Sequence, residues 1–230
     1  MKRLSAIIVC TFVLLQTLAA LDIEAATGRF GVDILNNTLP VTISAVSPVM
    51  NTLGGSVIIT FADGYFLTLE PGLDLFWTNY ENLDGRAVPT EYERGAGNNV
   101  FVLGFLLDVP LTATLRFGAP VSETIPHRFA VGFSLGPAFV LRAGFKYDLT
   151  AGMEAAMAEN QKAVVSYFWE KGRWFYPAAG IRFEIALQER FSFLVGARGF
   201  LPIFNAWTGT TPFLDHSMIH FLIGMRVKVN

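Results

Sequence analysis

The chain has 230 residues, a net charge of −2 and 21 phenylalanines, yet charged residues make up only 16% of it, against about 25% in ordinary globular domains. After residue 26 no uninterrupted apolar run reaches the roughly 20 residues that a spanning helix needs. These figures exclude a typical soluble domain and a helical membrane protein, and no basic run suggests nucleic acid.

The first segment reads as an export signal. Lys2 and Arg3 give a positive start, Leu4 to Leu21 are almost wholly apolar, and small residues follow at Ala19-Ala20 and Ala25-Ala26. That order of charge, apolar stretch and small-residue exit is a secretory signal peptide, expected over residues 1–26, with the mature domain over 27–230. The single cysteine, Cys10, lies inside it. The mature chain therefore has no disulfide, thiolate metal site or cysteine nucleophile.

Beyond it, apolar and polar residues alternate. Arg29 to Ser47 is read as one long, bulged first strand, with Phe30, Val32 and Ile34 on one parity, then Val41 and Ile43 on the other. Nine further runs share one apolar face. They are led by Val57, Leu67, Phe101, Leu111, Phe129, Phe139, Phe175, Phe193 and Ile219. The last is the clearest: from Ile219 to Val229 every odd position is apolar, about the length of one tilted membrane strand. So much apolar surface spread over strands must close on itself, because in lipid every backbone N–H and C=O has to be paired internally. The fold class expected is an all-β, closed antiparallel transmembrane β-barrel of ten strands, or of eight if residues 28–62 stay out of the wall.

The connections alternate in length. Asp63-Gly64, Asp108 to Pro110, Gly136-Pro137 and Gln188 to Arg190 read as tight turns. Residues 79–98, 118–126, 149–173 and 205–217 read as long loops, with a short helix plausible near Met153, Ala156 and Met157. Short turns face the periplasm and long loops the outside in such barrels, so 79–98 and 149–173 are expected outside.

If the Phe/Leu/Ile face meets lipid, the other face lines the lumen. Its candidates are Glu70, Asp74, Arg116, Arg142, Arg182, Glu184, Arg198 and Arg226. They make either a slightly cationic channel or, as a small barrel's bore favours, a filled interior of paired charges. Tryptophan and tyrosine gather at membrane interfaces, which makes Trp77, Tyr147, Trp174 and Tyr176 an expected aromatic girdle. Asp215-His216-Ser217 and His127 are too little for a hydrolase, since adjacent strand residues point to opposite faces. No enzyme, cofactor or metal is expected; a phosphate loop and a zinc-ligand pair are both missing.

The signal peptide, the alternating strands and the Ile219–Val229 strand resemble the small bacterial outer-membrane β-barrel proteins, and loosely the OmpW-like group. The resemblance implies residence in the bacterial outer membrane, contact with its lipid, and recognition of residues 219–230 by the barrel-assembly machinery. The last strand departs from the common pattern by ending Lys228-Val229-Asn230 rather than in an aromatic. Two functions fit: a narrow pore or conduit for small solutes, and a non-conducting structural or adhesive barrel whose extracellular loops bind a host or partner molecule.

Overall fold

The computed structural model describes residues 23–35, 49–60, 66–90, 99–123, 126–146, 154–208 and 213–229. Its strands are β1 (Ile23–Leu35), β2 (Val49–Thr60), β3 (Leu67–Leu69), β4 (Gly72–Leu83), β5 (Arg86–Thr90), β6 (Val100–Asp108) and β7 (Leu111–Phe117). They continue as β8 (Phe129–Lys146), β9 (Phe175–Ala186), β10 (Phe191–Phe200) and β11 (Met218–Lys228). Helix α1 (Glu154–Trp169) precedes β9, and the short α2 (Asn205–Thr208) follows β10.

Pairing closes a ring: β1 to β2, β4, β6, β8, β9, β10, β11 and back to β1, every step antiparallel. The wall has eight strands rather than ten, because two expected turns are prolines inside strands. Gly72 pairs with Asp108, and the same register continues three residues on, where Leu69 pairs with Leu111. Thus β3 and β4 form one wall strand interrupted at Glu70-Pro71, and β6 and β7 form another interrupted at Val109-Pro110. Gly136-Pro137 lies within the 18-residue β8, where Pro137 pairs with Pro177.

A proline has no N–H to give the ladder, but its carbonyl still accepts. The N–H groups of Val57, Glu70 and Val109 donate to the carbonyls of Pro71, Pro110 and Pro137, each at 3.0 Å. The wall stays continuous where the ladder is locally broken.

Two further expectations shift. Residues 28–35 and 49–60 stand in the wall as two strands, so eight arises by merging others; residues 36–48 lie outside the described ones. Phe117 and Phe129, which flank the 118–126 connection, sit at the same end as residue 66 and residues 187–190, the turn end, and not at the loop end. Strand β1 begins at Ile23, with Ala25 pairing Ile58 and Lys228. Ala25 and Ala26 are therefore wall residues.

The outer face carries the expected alternation. Ile219, Phe221, Ile223 and Met225 are all about half exposed, as are Leu53, Leu73, Leu115, Phe133 and Ile181. A closed belt of this kind is what lipid covers, and placing a cation in it would cost roughly 2–4 kcal/mol at mid-depth. At the loop end, β5 turns back on β4 through Asp84-Gly85, both with positive φ, as two-residue hairpins require. Helix α1 packs across that end on Met157, Val164, Tyr167 and Phe168.

Candidate functional site

The inward face follows from parity. Even positions on β4 and on β6 to β11 point in, as do odd positions on β1, and they bring charges from distant strands together. In the middle of the barrel, Arg29 of β1 grips Asp74 of β4 through two bonds, at 2.6 and 2.7 Å. Its Nη2 also reaches Asp108 of β6 at 3.1 Å. Arg198 of β10 donates to Asp74 at 2.9 Å and pairs with Asp108. His220 of β11 lies 3.1 Å from Arg198 and 3.0 Å from the Thr52 hydroxyl of β2. Two arginines and two aspartates, all buried, thus neutralise one another. Burying them costs desolvation that only such close, multiple pairing offsets.

A second layer lies nearer the turn end. Arg182 pairs with Glu70, and Arg226 donates to Glu184 at 2.5 Å. The Thr68 hydroxyl donates to Glu70 at 2.7 Å. Between the layers only a void of about 50 Å³ remains. Below the second layer the barrel opens into a vestibule of about 510 Å³ at the turn end.

Towards the loop end the bore is filled by apolar side chains. Phe76, Leu106, Val140, Tyr176, Phe200, Phe204 and Met218 form one buried cluster. Tyr80, Val100, Val102, Val164, Tyr167 and Phe168 form the next, under α1. Arg142 lies between them, its guanidinium 4.5 Å from the Phe168 ring centroid and 5.9 Å from that of Phe76. These clusters occupy the loop-end half of the bore.

Above the plug, polar contacts tie the loops into a cap. Arg86 of β5 donates to Asp215 at 2.5 Å, and the Asn205 side chain donates to the Asp215 carbonyl at 2.6 Å. The Tyr167 hydroxyl of α1 lies 3.0 Å from His216 Nε2. Arg173 donates to the Tyr167 carbonyl at 2.9 Å and stacks over its ring at 3.8 Å. Burial raises the Tyr167 phenol above its usual range, with Asp215 adding to the effect.

Burial, with Arg142, Arg86 and Arg173 near, pushes His216 down to about 3. The Asp215 carboxylate, 3.6 Å away, is already taken by Arg86. An unfolded histidine titrates near 6.5, so below that pH the opened cap binds a proton that the closed cap refuses. Cap stability is therefore complete above about pH 6.5 and falls as pH drops towards 3. By about pH 4 the linkage amounts to about 3 kcal/mol, at 1.36 kcal/mol per unit. Hydrogen exchange in α1 and residues 205–217, corrected for intrinsic rates, should accelerate on acidification. His216→Gln should flatten that dependence, and a wild-type profile flat with pH would contradict it.

The sequence candidates divide accordingly. Glu70, Asp74, Arg182, Glu184, Arg198 and Arg226 meet in the two charged layers. Arg142 faces inward but stands apart among aromatic rings. Arg116 is exposed and lines the vestibule. Trp77 and Trp174 lie on the outer face, 41% and 36% exposed. Tyr176 is no girdle residue: its even position turns it inward, 1% exposed, edge-on to Phe204. Tyr147 lies outside the described residues.

Arg29 is the member that the sequence reading passed over. The outward parity of Phe30 was the signal for it. Residues 132–136 spell G-x-S-x-G, the pattern of a nucleophile elbow. Here they run straight through β8 rather than around a strand-to-helix turn.

No family model matches the chain, and no curated protein matches it. Among solved structures it is similar to the outer membrane protein OprG from Pseudomonas aeruginosa, at 13% identity over 91% of this chain and 97% of that one, with a TM-score of 0.51. Neisserial surface protein A is similar at 9% identity over 89% of this chain and 96% of that one, with a TM-score of 0.47. The fold is that of the bacterial outer-membrane β-barrels.

Proposed function

We propose that this protein is a non-conducting barrel of the bacterial outer membrane, whose work is done by its loop-end cap. The carrying observation is the filled bore: Asp74, His220 and Tyr80 are fully buried across the section where a pore would need water. The fold and the apolar belt support the location, and β11 is the strand that assembly machinery would read. With short turns periplasmic, the cap faces outside and the vestibule faces the periplasm. Trp169, Trp207 and Phe213, each about half exposed, stand on the cap as its partner-facing surface. Catalysis has no part in this reading, because His216 and Asp215 are buried and engaged within the cap.

Conductance in a planar bilayer tests it. The purified, folded barrel should give no steady single-channel openings in concentrated potassium chloride. Regular openings of uniform size would overturn the proposal in favour of a solute conduit.

A further inference from the structure

The vestibule stands apart from the cap and has no part in sealing the bore. Its lining mixes the apolar side chains of Ala25, Ile58, Ala130 and Ala186 with the Glu70–Arg182 and Glu184–Arg226 pairs, which balance their own charges. The mouth is different. Arg116 stands one residue before the end of β7, Arg128 precedes β8, Arg190 sits in the β9–β10 turn and Lys228 ends β11, and beyond the two pairs Glu189 is the one further carboxylate among the described lining residues. Among the described residues, and apart from the two balanced pairs, four cations thus face one carboxylate around a cavity of about 510 Å³, within the roughly 300–1,000 Å³ of small-molecule sites. These cations come from strand ends on different sides of the mouth, so their fields converge on the cavity. Low-dielectric walls sharpen that convergence.

We infer that the vestibule is a binding site for an anion carrying at least two phosphate or carboxylate charges. Arginine forks donate two parallel bonds to such groups, and the apolar side chains of the lining take the uncharged part of an organic anion. The group has two sources, a soluble anion or the headgroup of an anionic phospholipid in the adjoining leaflet. The site holds whether or not the bore conducts, so silence or current in a bilayer leaves it untouched.

The test is calorimetric titration of the barrel in nanodiscs of phosphatidylcholine alone, with pyrophosphate and citrate as probes and acetate and sucrose as controls. Saturable binding of the multivalent probes is expected, weakening with added salt. The triple variant Arg128→Gln/Arg190→Gln/Lys228→Gln should lose affinity by about tenfold or more. Glu189→Gln should tighten binding instead. Heat-modifiable gel mobility confirms that each variant is folded.

A parallel arm adds phosphatidylglycerol. If that lipid competes with pyrophosphate, or co-purifies with the wild type and not with the triple variant, the headgroup is the occupant. If neither soluble anion nor phosphatidylglycerol binds, or both bind the triple variant as well as the wild type, the inference is overturned.

Discussion

Replacing Asp74 with alanine should destabilise the barrel by about 3–5 kcal/mol, the cost of leaving buried charge without its partner. Asp74 is wholly buried and stands between Arg29 and Arg198, accepting from both. Its loss turns a balanced set of two arginines and two aspartates into two cations sharing Asp108. Neither guanidinium can give up its proton, and both are buried. Urea unfolding in lipid vesicles, followed by heat-modifiable mobility, measures the loss. The double replacement Asp108→Leu/Arg198→Met takes away one charge of each sign and should cost less than Asp74→Ala. A change within about 1 kcal/mol for Asp74→Ala would show that the layer is not what holds the strands together, since surface-like effects are of that size.

Gly54→Val should be the most damaging single change in the wall. A Cβ on Gly54 would overlap the Leu73 carbonyl oxygen and the Asp74 carboxylate, and would stand 2.7 Å from the Asp74 Cα. The Leu73 oxygen and the Asp74 Cα are backbone atoms of the next strand, so no rotamer change relieves the clash. Strands β2 and β4, which pair from Thr52 to Ser56, would have to part. Overpacking a formed core costs typically about 1–3 kcal/mol, and here the separation also breaks ladder bonds that lipid cannot replace. The expected result is a chain that does not reach the folded, heat-modifiable form. Gly199→Ala is the control: nothing lies within 4 Å of its added carbon, and stability should hold within about 0.5 kcal/mol. Normal folding of Gly54→Val would mean that β2 and β4 do not approach as described.

How much of this was legible depended on the range of the interaction. The side-chain period of two is local, and it alone distinguished an outward Phe221 from an inward His220. For the same reason Glu70, Asp74, Arg182 and Arg198 could be placed inside before any strand was paired. Helix α1 was half legible. Met157 does face the core, but Ala156 is exposed, and the packing face runs on through Val164, Tyr167 and Phe168. Asp84-Gly85 carried a hairpin signal inside what read as a plain loop.

By itself, then, the sequence determined a closed wall with an apolar outside and a charged inside, because alternation and the ban on unpaired backbone in lipid leave no other arrangement. The tertiary structure decided the strand number, because Val109-Pro110 and Gly136-Pro137 look alike in a turn and in a strand whose proline carbonyls still accept. It also decided which charges meet. Arg29 finds Asp74 45 residues away, and Arg198 finds the same carboxylate across 124. Parity tells each residue which way to face, but only the barrel's closure and register set the height at which it meets a partner.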